Sequence, residues 1–272
     1  MKPPQYVGCS GVMTPEQAHA LLAAWPTDAP AQSLMIGVLT SQKVLAGGER
    51  NARSPAPEDI HTIWPTDPRA LNLIHYFTKD PSTLGEQLLR VVGRASDLCD
   101  GVQINVTWPP VAQLVAFKTF APSLTRVVLQ IGPRALQDRS PLEIALLVGT
   151  YEGLITDVLI DMSAGQGKPI NPAETRVIVS AIGSLCPLVR IGIAGGLCAE
   201  MLPTPIPFIV RGFSYSVDAL GNPRTTVAQL VQEHRLSIDA EGRLRNDRDE
   251  LDLDKARAYL AAAAPLVCGD GR

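Results

Sequence analysis

Eight short apolar runs, each separated from the next by helical or loop sequence, constrain this chain more than any other feature. They cover residues 6–10, 34–39, 71–77, 102–106, 127–131, 158–161, 190–194 and 208–213. Most are continuous and rich in Val, Ile and Leu, as parallel strands buried on both faces must be. Helical signals lie between them. Thr14-Pro15-Glu16-Gln17 offers an N-cap threonine, a first-turn proline and a glutamine at the capping-box position. The segment 82–94 spaces Leu84, Leu88, Leu89 and Val92 by three and four residues. Segments 110–120, 140–151 and 171–185 follow, with Pro110, Pro141 and Pro172 just inside their starts. The alanine-rich stretch 252–266 reads as a closing helix. Alternation of this kind through eight units predicts a single-domain α/β fold, the (β/α)8 TIM barrel, over residues 1–272. The length suits it, since such barrels run to ~250 residues as one unit.

Two segments interrupt the rhythm. Residues 40–64 are polar and rich in Gly and Pro, and are expected to form a long loop on the rim that follows the second strand. Residues 217–249 read as an insertion. It holds a weak helix at 225–234 and an alternating stretch at 236–244 that is expected to form a β-hairpin turning at 240–242.

Chemistry concentrates where the apolar runs end, because a (β/α)8 barrel assembles its site from the C-terminal ends of its strands. Leu159-Ile160-Asp161 places a carboxylate at one such end and is followed by Gly165-Gln166-Gly167-Lys168. One βα unit later, Ile193-Ala194 runs into Gly195-Gly196. Asp161 suits general acid work among apolar walls. Gly165, Gly167, Gly195 and Gly196 can present backbone N–H groups to a phosphate, with Lys168 adding charge. Ser214 and Ser216, after the 208–213 run, are candidates to complete that site, and Arg211 within the run to meet an anionic substrate. Cys9 ends the first run and is a candidate base or nucleophile; the alternative is a buried cysteine acting as a small hydrophobe. His75 and Asn105, with Gln103 beside it, sit in the third and fourth runs as candidate substrate contacts. Gln130 and Arg134 near the end of the fifth are weaker ones.

Several function classes are disfavoured by composition. The net charge of −3 and a pI near 5.8 leave no electrostatic footprint for nucleic acid. No apolar run approaches the roughly 20 residues of a membrane span, and the first residues lack the apolar core of a signal peptide, so a cytoplasmic protein is expected. The five cysteines are scattered, and neither they nor the four histidines show metal-ligand spacing. No metal or organic cofactor is expected.

These residues resemble the phosphoribosylanthranilate isomerases of tryptophan biosynthesis over most of the chain. The likeness runs through Cys9-Ser10-Gly11-Val12-Met13-Thr14-Pro15-Glu16-Gln17-Ala18, Ile74-His75-Tyr76-Phe77 and Val102-Gln103-Ile104-Asn105-Val106. It continues through Asp161 with Gly165-Gln166-Gly167-Lys168, and Ala194-Gly195-Gly196-Leu197. One extra residue sits in the Cys-Gly match, and Gly8 stands where that family has lysine. The resemblance implies an aldose–ketose isomerase performing an Amadori rearrangement on a phosphorylated sugar derivative. Asp161 would be the general acid, Cys9 the thiolate base, and the glycine loops the phosphate holders. Either the Ser216 region or 238–242 would complete the phosphate site. A barrel that binds a phosphorylated metabolite without turning it over, or another phosphosugar enzyme such as an epimerase or aldolase, remains the alternative.

Overall fold

The computed structural model describes residues 5–163, 170–202 and 226–268. Its strands close into a barrel in sequence order. They are β1 (Val7–Ser10), β2 (Leu34–Ser41), β3 (Ala70–Phe77), β4 (Gly101–Asn105), β5 (Arg126–Ile131), β6 (Asp157–Asp161), β7 (Arg190–Ala194) and β8 (Ser237–Ala240). Every pairing is parallel, including β8 back onto β1. The helices are α1 (Pro15–Ala23), α2 (Gln42–Leu45), α3 (Leu84–Val92), α4 (Val111–Phe120), α5 (Pro133–Leu136), α6 (Pro141–Gly149), α7 (Pro172–Leu185), α8 (Val227–His234) and α9 (Leu253–Cys268). None of these is long and apolar enough to cross a membrane.

Two apolar clusters explain the continuous runs. Val7, Ile36, Ile74, Ile104 and Ile160 belong to the large core between strands and helices. Their lumen-facing counterparts Tyr6, Met35, Leu71, Leu73, Val128 and Leu159 form a second cluster inside the barrel. Alternate residues thus enter different apolar layers, and the period of two is erased from the sequence.

Helix starts follow their capping residues. Thr14 accepts from Gln17 N, and Ser140 and Glu143 form a reciprocal capping box. The Asn171 side chain caps α7 by accepting from the backbone N–H groups of Ala173 and Glu174. Gln17 Oε1 accepts from Met13 N at 2.8 Å, one residue before the cap. Pro110 stands at the cap of α4, where a first-turn position was expected.

The eighth strand departs from expectation. Residues 208–213 lie outside the described residues, and the barrel is closed by Ser237–Ala240 between β7 and β1. The expected hairpin at 236–244 is therefore a parallel strand followed by a short 3-10 turn at Gly242–Leu244. The cause is polarity inside the lumen. Leu236 and Ile238 enter the outer core, while Asp239 and Ser237 take polar partners on the other face. The resulting alternation imitates a strand with one wet face.

At the N-terminal ends of the strands the lumen is plugged by a buried ion pair. Arg126 Nη1 lies 3.3 Å from Asp157 Oδ2 with both side chains enclosed, and the guanidinium stands 5.5 Å from the centroid of the Tyr6 ring. Burial pushes the Asp157 carboxyl up, and the charge of Arg126 opposes that shift.

The 40–64 segment is partly ordered by the barrel it borders. β2 continues to Ser41, whose hydroxyl caps α2. Ile60, Ile63 and Trp64 return to the core. Between these anchors Arg53 engages two carboxylates, with Nη1 2.6 Å from Glu241 Oε1 and Nη2 2.7 Å from Asp249 Oδ1.

Candidate functional site

The strand ends open into a cleft of ≈ 560 Å³ whose lining includes Lys43, Arg50, His75, Asn105, Asp161 and Glu241. Beneath it lies a recess of ≈ 30 Å³, reached past His75, Gln130, Asp161 and Glu241, which line both. Gln103 and Asp239 line the recess alone. That volume holds about one water-sized group. The polar side chains at the strand ends are joined in the cleft by Lys43, Glu49, Arg50, Asn51 and Ser54 from the segment that follows β2.

A hydrogen-bonded chain crosses the recess. Asp161 accepts from Gln130 Nε2 at 2.9 Å, from Ser163 N at 2.9 Å and from Ser163 Oγ at 2.8 Å. Gln130 Oε1 accepts in turn from Gln103 Nε2 at 3.2 Å. The same Gln103 nitrogen is 3.4 Å from Asp239 Oδ2 and 3.4 Å from His75 Nδ1. Ser10 Oγ stands 3.0 and 3.1 Å from the two oxygens of Asp239. Gln103 is 1% exposed, and its Oε1 is buried with no hydrogen-bond partner.

Electrostatics divide the acidic groups by environment. Burial first, then the charges of Glu241 and Asp161, raise Asp239 to about 7, against bonds from Ser10 and Gln103 that favour its anion. Asp239 therefore titrates at neutral pH. Burial also lowers His75, so its imidazole is neutral at that pH. Both carboxyl groups accept the hydrogen bonds described for them, Asp161 from Gln130 and Ser163 and Asp239 from Ser10 and Gln103.

Gly195 and Gly196 adopt φ of 117° and 62°. A Cβ on Gly195 would lie 3.4 Å from Ser163 Cβ and 3.5 Å from Asp161 Oδ1, in a backbone conformation that side chains rarely adopt. The glycine lets the end of β7 pass beside the carboxylate.

The sequence candidates thus separate into three groups. Asp161, His75, Asn105, Gly195 and Gly196 line the cleft or its recess. Gly165, Gly167, Lys168, Arg211, Ser214 and Ser216 lie outside the described residues. Cys9 is a correction. Its side chain is buried in the core between barrel and helices with Val7 and Tyr259, and burial followed by the charge of Asp239 pushes its thiol far up. The neighbours on the lumen face are Gly8, close to Met35 and Asp239, and Ser10. A thiol in that position neither ionises readily nor faces the cleft, so it is not the base.

Asp239 and Glu241 enter the sequence reading only within 238–242, as one of two stretches to complete a phosphate site, and not as acids of the cleft. The available signal was the end of 236–239, where an apolar residue, then Asp, repeats the pattern of Ile160-Asp161. Among the described residues, no group of His, Cys, Asp and Glu is arranged to hold a metal ion.

No family model matches the chain, and no curated protein sequence matches it. Solved structures do. The catalytic domain of a hyperthermophilic chitinase from Pyrococcus furiosus aligns with a TM-score of 0.53 at 11% identity, covering 100% of this chain and 99% of that one. The carboxyl transferase domain of Rhizobium etli pyruvate carboxylase gives 0.54 at 10% identity, covering 97% of this chain and 47% of that one. At such identities the likeness is one of fold, the TIM barrel.

Proposed function

We propose that the chain is an acid–base enzyme of the isomerase type, moving a proton within a small phosphorylated sugar derivative, with Asp161 and Asp239 as the proton-handling pair. The observation that carries this reading is the Asp161–Gln130–Gln103–Asp239 chain across a recess at the strand ends. It supplies an acceptor carboxylate and a carboxyl group that holds its proton near neutral pH, the pairing that acid–base catalysis needs. In the forward step Asp239 donates its proton to a substrate oxygen and Asp161 takes one from the adjacent carbon, giving an enol-type intermediate. Asp161 then returns its proton to the former carbonyl carbon while Asp239 takes the proton of the hydroxyl on the carbon that was deprotonated, which completes the isomerisation and restores both groups. This assignment replaces the thiolate base that the family resemblance implies and gives the acid role to Asp239. Phosphoribosylanthranilate is the first substrate to try. Phosphate is held by the backbone turn at Gly195–Gly196 or by Lys43 and Arg50 on the rim.

A second reading, binding without turnover, is favoured by the burial of Cys9, because one of the two groups the resemblance requires is missing from the mouth. One experiment separates the two. The chain is incubated in D2O with phosphoribosylanthranilate and a panel of pentose and hexose phosphates, and carbon-bound deuterium is followed by NMR. Exchange by the wild type that disappears in Asp161→Asn supports the isomerase reading. Thermal stabilisation by a ligand without exchange supports the binding barrel, and neither response removes the phosphosugar class.

A further inference from the structure

The outer helices of the barrel differ in what they turn to solvent. On α3, Glu86 and Arg90 are exposed and pair one turn apart, and on α9 Asp254 and Arg257 do the same. The neighbouring helices α6 and α7 show apolar side chains instead. Leu142 and Leu146 lie one turn apart on α6, Val177 and Leu185 two turns apart on α7, and Leu188 just beyond its end. All five are between 45% and 62% exposed. Spacings of four residues put such side chains on one face of each helix.

The two faces join. α6 and α7 pack directly on each other, and Cys186 Sγ, at the end of α7, lies 3.5 Å from the carbonyl oxygen of Ala145 in α6. No Asp, Glu, Lys, Arg or His occurs in 144–151 or in 177–189. Flanking charges are engaged elsewhere: Glu143 bonds Ser140 in the capping box, and Arg176 pairs with Glu233 of α8 at 2.6 Å. The exposed parts of the five residues amount to roughly 500 Å² of mostly apolar surface, whereas single scattered apolar residues are all that most of a monomer's surface shows. That is the ~65% apolar share of about 800 Å² per partner, the standard size of a stable interface.

We propose that the outward face of α6 and α7 is the interface of a homodimer, with a second copy of this chain seated on it about a twofold axis. Its chemistry suits its own copy. A twofold contact sets the same patch against itself, so a charged face would meet like charge, whereas this one meets none. A net charge of −3 adds little repulsion between copies. The area is what a stable dimer needs. None of the described residues lining the cleft at the strand ends belongs to α6 or α7, so association leaves the cleft open and is independent of the chemistry proposed there.

Sedimentation equilibrium of the full chain across the micromolar range tests this. It is expected to give twice the 29.1 kDa chain mass, with a melting temperature that rises with chain concentration. Leu146→Lys combined with Leu188→Lys puts charge at exposed positions and is expected to weaken association at least about 100-fold, giving a monomer of unchanged circular dichroism. Val115→Lys, at an exposed apolar position on α4, is expected to leave the dimer intact. A second measurement needs no variant: on dilution of the wild type, amide hydrogen exchange should speed up within 142–149 and 177–188. A monomeric wild type overturns the proposal, whatever else the face binds. So does a dimer that survives the double lysine variant, one that Val115→Lys dissolves, or exchange that responds to dilution in other helices and not in these two.

Discussion

The two ends of the barrel lumen both bury charge, and they treat it in opposite ways. At the floor, Arg126 and Asp157 face each other across 3.3 Å, and Tyr6 covers the guanidinium. Opposite signs meet and an aromatic ring completes the enclosure. At the mouth, Asp239, Asp161 and Glu241 share one recess, and among the described residues the only ion pair they form joins Glu241 to Arg53. Like signs are held together there by amide and hydroxyl bonds. The floor is arranged for persistence. The mouth keeps a carboxyl group in a state that costs free energy once it ionises, and stored electrostatic strain of that kind is what a proton-transfer site requires.

Four substitutions break or sharpen this contrast. The largest effect is expected on turnover. Asp161→Asn should lower kcat by about 10²–10⁴-fold with the substrate found by deuterium exchange, while urea unfolding moves little. At the floor the same kind of loss appears as stability instead. Asp157→Ala leaves Arg126 without its carboxylate, and urea unfolding should register a loss of about 3–5 kcal/mol. A much smaller loss would mean that the floor pair contributes little.

Asp239→Asn carries the opposite sign. Its folded value, about 7, stands above the ordinary carboxylate value of 3.8. Between those limits the folded chain holds a proton that the unfolded chain has released, so the wild type loses stability as pH rises from about 4 to about 7 and then levels off. The asparagine variant lacks that penalty. It should be more stable than the wild type at pH ~8, by up to about 4 kcal/mol, with the advantage fading by pH ~4. A pH-independent difference in thermal unfolding would contradict the shift.

The smallest effect belongs to the tie between loop and mouth. Arg53→Ala should cost about 1 kcal/mol, falling with added salt because the Asp249 side chain is 46% exposed. An unchanged melting temperature at low salt would argue against the tie.

Much of this architecture was legible because buried parallel strands leave continuous apolar runs. The first seven strands fall within a residue or two of their expected limits, and the cap residues Thr14, Ser140 and Asn171 mark their helices. β8 was hidden by its own chemistry. A strand whose lumen face carries Ser237 and Asp239 alternates like a hairpin arm, and periodicity alone does not distinguish the two. Within the site, Asp161, His75 and Asn105 were accessible through the rule that strand ends carry chemistry. Cys9 failed on parity. In a strand, a shift of one residue transfers a side chain to the opposite layer, and the extra residue in the Cys-Gly match is a shift of that size. Gly8 and Ser10 face the lumen, and the thiol between them faces the helices.

Arg245 has a consequence for how the chain is made. Its guanidinium donates to the carbonyls of Ser10 and Gly11 at 2.6 and 3.1 Å, and it occupies the space where a Cβ on Gly11, at φ 80°, would stand. Asp239 meets Ser10 from the same side. The first strand of the barrel to be synthesised is thus completed by residues more than two hundred positions later. Until they emerge, the nascent sheet presents β1 as an open edge with unsatisfied main-chain groups, the surface on which aggregation begins. Ribosome-bound truncations ending before Arg245 should therefore remain protease-sensitive at β1, and the whole barrel should gain resistance in a single late step.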